Sequence, residues 1–350
     1  MIEHAFRACS YSARLWLKLL IGLCMFVFVT GSESMLAVEP APARTLSINK
    51  IWDAAPHNAF TDLLWHNGKF ICVFREGTAH VSPDGALRII TSPDGQKWTS
   101  AALIKSSTSD LRDAKITLAP DGRLMLCGAG ALHDKSKATH QSLAWYSKDG
   151  IDWGEAIEIG DPDFWIWRVT WNGPTAYGVG YATGGSLRET RLYRSTDGRR
   201  FEAFVQPLTS DGYPNESTLL FTDPDKALCL ARREQGDKLA WLGSSLDPLE
   251  KWSWKPLNAQ VGGPNLIQLT DGRIVVAGRR YPGGAKTQLW WLDPERAELT
   301  EIATLPSGGD TSYPGLVYRN DVLSVSYYSS HEGKTNIYFA QLQLPPAETK

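Results

Sequence analysis

The sequence predicts an all-β chain folded as a six-bladed propeller, and three observations carry that expectation. First, a short pattern recurs as Ser92-Pro93-Asp94-Gly95-Gln96-Lys97-Trp98, Ser147-Lys148-Asp149-Gly150-Ile151-Asp152-Trp153 and Ser195-Thr196-Asp197-Gly198-Arg199-Arg200-Phe201, with its aromatic positions 55 and 48 residues apart. Second, each copy lies between apolar runs, where an Asp-Gly pair makes a hairpin turn. The carboxylate accepts backbone N–H groups and the glycine supplies the positive φ. Third, the first apolar run of each unit marks positions 62, 113, 168, 216, 265 and 315, which counts six units. Repeats of roughly 40–50 residues carrying several short strands are propeller blades.

The elements follow in order. Arg7, Arg14 and Lys18 precede the apolar run Leu19 to Val29 and a small-residue stretch near Gly31, the pattern of an export signal over residues 1–34. An eleven-residue apolar run is short for a bilayer span, so no stable membrane span is expected and a secreted or periplasmic location is. Residues 35–44 read as a linker and 45–350 as the propeller. Within the units, first runs such as Phe60-Thr61-Asp62-Leu63 lead through turns such as His66-Asn67-Gly68 to second strands such as Phe70–Phe74. Units four to six lack a clear copy of the recurring turn; Ser245-Leu246-Asp247-Pro248 and Leu292-Asp293-Pro294 stand in its place. The sixth unit ends near Leu344 without room for an outer strand, and Arg44 to Trp52 could supply it and close the ring.

Composition excludes several classes. The formal charge of −2 gives no case for nucleic acid. Cys72, Cys127 and Cys229, the cysteines beyond the signal segment, are odd in number and sit in apolar runs, so they read as buried thiols rather than a disulfide framework. The histidines at 57, 66, 80, 133, 140 and 331 show no metal-ligand spacing, and no cofactor signature is present. The many Trp and Tyr residues suit a β-rich, carbohydrate-facing protein.

In a propeller the beginnings of the first strands and the ends of the second strands converge on one face. These two registers are polar here: Asp62, Arg112, Asp113, Arg168, Glu216, Asn265 and Tyr313 in the first, and Arg75, Tyr181, Arg232, Arg233, Arg279, Arg280 and Tyr328 in the second. Guanidinium groups placed round a central pocket suit a bound carboxylate or a densely hydroxylated acidic sugar.

The S-x-D-G-x-x-W turn resembles the Asp box of the sialidase superfamily, where its role is structural. The likeness extends to the order Glu216, Arg232, Arg279, Tyr313, which is similar to the family's base, two carboxylate-binding arginines and tyrosine nucleophile. Arg75 is similar to its further arginine on blade one. That resemblance implies a retaining exo-glycosidase acting on a terminal acidic sugar of a glycan, with Tyr313 attacking and Glu216 taking its proton; a Tyr nucleophile is a known exception to two-carboxylate glycosidases. The chain departs from the family at the start of blade one, where Ala59-Phe60-Thr61-Asp62 replaces an arginine, and at the acid/base aspartate, for which His80, Asp84 and Asp113 are the candidates, Arg112 being expected to keep Asp113 ionised. Two rival readings remain: a carboxylate-based glycosidase using Asp62, Asp113 and Glu216, and a carbohydrate-binding propeller without turnover.

Overall fold

Residues 43–347 are described by a computed structural model. The expected export signal over 1–34 and nearly all of the expected linker over 35–44 lie outside the described residues.

Among the described residues every regular element is a strand, and the strands form six four-stranded antiparallel sheets. Five blades are sequence-continuous, over 57–104, 109–159, 164–209, 214–256 and 262–304, each running from an innermost to an outermost strand. The sixth takes three strands from 311–343, and Arg44–Trp52 pairs antiparallel with Asn336–Gln343 as its outer edge. The closing strand has the bounds expected from the sequence, Arg44 to Trp52, so the stretch read as a linker overlaps it at Arg44. Closure removes an edge that would otherwise present unpaired N–H and C=O groups.

The spaces between neighbouring blades are filled from both sides. Ile71, Val73, Leu87 and Ile89 of blade one meet Leu111, Ile116, Leu126 and Trp145 of blade two, while Phe70, Cys72 and Phe74 on the other face of blade one share a core with Ile337 and Phe339 of blade six. At the periphery each recurring turn closes the same way. Asp94 Oδ1 accepts the N–H groups of Gln96 and Lys97, the Gly95 N–H donates to Ser92 Oγ, and the Trp98 indole donates back to the Gly95 carbonyl. The Ser147 and Ser195 turns repeat the serine and aspartate bonds. Trp98 packs beside Phe70 and Phe339, between blades one and six, away from the axis.

A single irregularity sets up the site. All six innermost strands break register against their neighbours at one level, where two residues stand opposite one: Phe60-Thr61, Asp113-Ala114, Trp167-Arg168, Asn215-Glu216, Gly263-Pro264 and Tyr313-Pro314. A bulge of this kind bends the strand and re-aims its side chains. Phe60, Asp113, Ser312, Tyr313 and Gly263 have positive φ there. For residues other than glycine this is a strained conformation that persists where the surroundings impose it.

Candidate active site

Tyr313 of blade six and Glu216 of blade four meet across the inner strand of blade five. The Tyr313 hydroxyl donates a short hydrogen bond to Glu216 Oε1. Glu216 Oε2 accepts from Arg232 Nη1 at 2.6 Å and from the Gly263 backbone N–H at 2.8 Å. Arg232 Nη1 also lies 3.3 Å from the Tyr313 oxygen, and Arg279 sits over the Tyr313 ring, 5.3 Å from its centroid. Gly263 is required at its position: φ is +56°, and a Cβ would lie 2.6 Å from the Tyr313 ring. Only a residue without a side chain lets the backbone N–H reach Glu216 under that ring.

These groups set one another's ionisation. Burial would raise the Glu216 carboxyl, but Arg232, the bond from Tyr313 and Arg279 outweigh it and hold the group below its ordinary value. Burial and the adjacent Glu216 push the Tyr313 phenol well above its ordinary value, against the opposing pull of both arginines. The resting pair is a neutral phenol on an ionised carboxylate. Asp113 is buried with Oδ1 unpartnered among protein groups. Burial pushes its carboxyl upward, more strongly than Lys115 and Arg112 pull it down. The expectation that Arg112 keeps Asp113 ionised is thus reversed: Arg112 spends a donor on the His80 carbonyl and stacks over Phe60 instead.

Three candidates from the sequence are occupied elsewhere. Arg75 is fully buried, with Asp110, the Ala79 carbonyl and Ser82 taking its donors, so it anchors the 78–84 loop and does not face the axial cleft. Asp84 is held by Thr78, whose N–H donates to it at 3.2 Å, and bonds from Ser82 and Thr78 pull its carboxyl far below the range a proton donor needs. Asp62 is 1% exposed, one layer beneath the bulges, where it accepts from the Ile116 N–H and from Arg168 at 2.7 Å. Asp62 and Arg168 therefore neutralise each other in the channel floor.

Of each neighbouring arginine pair, one faces the axis. Arg232 and Arg279 do; Arg233 bonds to Asp237 and the Leu239 carbonyl, and Arg280 to the Pro282 carbonyl. Side-chain alternation along a strand produces this split. Phe60, Lys115 and Trp167 belong to the site although no sequence pattern marked them. Phe60 and Trp167 pack on Tyr313 at centroid distances of 5.2 and 5.3 Å. Lys115 is 2% exposed, its Nζ 4.5 Å from the Trp167 ring centroid, and burial lowers its ammonium against the pull of Asp113. A lone lysine inside the apolar stretch Ala114 to Ile116 was the available signal. Two surface concavities lie on the flanks of blades four and five and of blades one and two, and include none of the residues around Tyr313.

The six-bladed ring with these bulges has clear structural relatives. A protein of unknown function from Dyadobacter fermentans superposes with a TM-score of 0.77 at 19% identity, over 87% of this chain and 100% of that one. Trypanosoma rangeli sialidase, as a mutant displaying trans-sialidase activity, matches with a TM-score of 0.63 at 13% identity, over 87% of this chain and 60% of its own. This is a sialidase-like propeller fold. An alpha-L-arabinofuranosidase from Fusarium graminearum, in complex with an iminosugar inhibitor, matches with a TM-score of 0.68 at 14% identity, over 85% and 98%. The chain thus spans about three-fifths of the sialidase's length. No protein-family model and no curated protein sequence matches.

Proposed function

We propose that the protein is a retaining glycoside hydrolase that removes a terminal acidic sugar from a glycan, exported from the cytoplasm by its N-terminal segment. The observation that carries this reading is the hydrogen bond from the Tyr313 hydroxyl to a Glu216 carboxylate held ionised by Arg232. A phenol buried on a base is of little use to a binding surface, whereas it suits attack at an anomeric carbon that bears its own carboxylate, which a carboxylate nucleophile would approach unfavourably. Tyr313 Oη bonds to the anomeric carbon as Glu216 takes the phenolic proton and Asp113 gives its proton to the departing oxygen. Water then attacks the same carbon, Asp113 accepts the water proton, and Glu216 returns its proton to the tyrosyl oxygen. Arg232 and Arg279 hold the sugar carboxylate.

The test is hydrolysis of chromogenic sialosides, uronides and furanosides by the purified protein and by Tyr313→Phe. Turnover of an acidic glycoside, lost by roughly a thousandfold or more in Tyr313→Phe with binding retained, supports the reading. An unchanged rate in Tyr313→Phe removes Tyr313 as nucleophile. A carboxylate-based reaction would then rest on Asp113 and Glu216 alone, since Asp62 is sealed beneath the site. Ligand binding without turnover by the parent would leave the binding-module reading.

A further inference from the structure

Where the arginine of the resembled family is missing, at the start of blade one, three other side chains converge. His57 comes from the innermost strand of blade one, His80 from the loop that Arg75 anchors, and Asp310 from the segment just before Tyr313. His57 Nε2 lies 3.1 Å from Asp310 Oδ2, and His80 Nδ1 lies 2.7 Å from the same oxygen. All three atoms fall within 4.8 Å of one another. Donor atoms about 2.0–2.2 Å from a tetrahedral zinc ion lie roughly 3.3 Å from each other, so the cluster is at the scale of a coordination sphere.

The surroundings hold it in that form. The other carboxylate oxygen of Asp310 accepts from the Tyr328 hydroxyl at 2.8 Å, and Arg279 donates to Tyr328 in turn at 2.9 Å, which turns Oδ2 towards the two imidazoles. Oriented carboxylate ligands of this kind are the usual outer support of a metal site. Without a cation His57 Nε2 and His80 Nδ1 both donate to Asp310 Oδ2, which can only accept, so a bound ion takes these two nitrogens by displacing their protons. His57 is buried, while the His80 side chain is 49% and the Asp310 side chain 27% exposed, which leaves the cluster open towards solvent for a further ligand. Phe60 packs against His80 at 5.1 Å and against Tyr313 at 5.2 Å, so one ring separates the cluster from the axial tyrosine.

We propose that His57, His80 and Asp310 bind a divalent cation of the zinc class, with an open coordination position at the rim of the axial site. Two imidazoles and one carboxylate are a ligand set suited to first-row divalent ions. Resting on the reading of the preceding subsection, the ion supplies on blade one the positive charge that Arg232 and Arg279 supply on blades four and five, and it takes an oxygen of the acidic ligand.

Zinc binding to the chelator-treated, tag-free chain tests the site without requiring turnover. By calorimetry and elemental analysis the parent binds about one equivalent with a micromolar or lower Kd, within the reach of a three-ligand site. His80→Ala, an exposed loop position, and Asp310→Asn each weaken binding by at least about tenfold. Unfolding midpoints in chelator confirm that the variants are folded. Cys72, Cys127 and Cys229 are buried free thiols and offer no competing site. No zinc, cobalt or manganese bound by the parent, or undiminished binding by His80→Ala, overturns the assignment. Metal bound but without effect on the affinity for an acidic sugar keeps the metal site and removes its role in the proposed reaction.

Discussion

At the scale of single residues, two carboxyls in one water-poor cluster are driven in opposite directions. Glu216 is held low because Arg232, Tyr313 and Arg279 together overcome its burial, and Asp113 is driven up because burial overcomes Lys115 and Arg112. Separating two carboxyls in this way assigns base and acid. The proposed reaction needs Glu216 ionised and Asp113 protonated. Its rate should therefore rise as pH climbs through the lowered Glu216 value and fall as pH climbs through the raised Asp113 value. A kcat/KM profile against pH checks both limbs. Asp113→Asn should remove the falling limb and slow turnover by about 100- to 10,000-fold, least for substrates with good leaving groups. A falling limb that persists in Asp113→Asn would assign the acid elsewhere. Glu216→Gln should cost a similar factor, because Tyr313 then loses its proton acceptor while its ring stays packed between Phe60 and Trp167.

At the scale of elements, the recurring turn and the bulge divide the labour. The turn is a structural staple, and its geometry outlasts its sequence. In blade four Leu249 stands at φ +65° and the Trp252 indole donates to its carbonyl at 2.9 Å, as Trp98 does to Gly95. In blade five Ala297 has φ +55° and Asp293 accepts two N–H groups of its turn. Gly95 combines φ +75° with a Phe339 carbon 2.6 Å from where a Cβ would lie, whereas Gly122 at φ +82° has open space. Gly95→Ala should cost about 2–4 kcal/mol and Gly122→Ala only about 1–2 kcal/mol, measured by denaturant unfolding at constant slope. Equal losses would mean that Phe339 yields without cost. The bulge explains the misplacement of Asp62: it follows the bulge of blade one while Asp113 lies within that of blade two, and apolar runs alone do not show where the bulge falls, so the two were matched although Asp62 lies one layer below.

At the scale of the molecule, the ring is held closed by Arg44–Trp52 on Asn336–Gln343. Blade six carries Tyr313, Tyr328 and Asp310, so closure also braces the site. Deleting residues 43–52 exposes the edge of blade six and removes Ala43 and Ile48, uncovering the core they pack against. The thermal midpoint should fall by roughly 10 °C or more, a loss of several kcal/mol for a domain of this size, with aggregation through the freed edge. A midpoint within a few degrees of the parent would show that the strand is an accessory. Scanning calorimetry with light scattering reads both effects.

The sequence by itself determined the all-β class, the number of blades, the outer turns and the closing strand. Those depend on local turn chemistry and on apolar runs repeated along the chain, both of which are written residue by residue. It also placed Glu216, Arg232, Arg279 and Tyr313 at the right level, because each stands at a polar break in an otherwise apolar run. The tertiary structure alone decided that Arg75 is spent on Asp110, that Asp62 and Arg168 cancel in the channel floor, and that burial rather than Arg112 governs Asp113. It alone brought His57, His80 and Asp310 together across 253 residues of chain. Partner choice and desolvation are properties of the closed ring: two residues far apart in the chain become neighbours only once six bulges point at one axis, and no spacing in the sequence carries that distance.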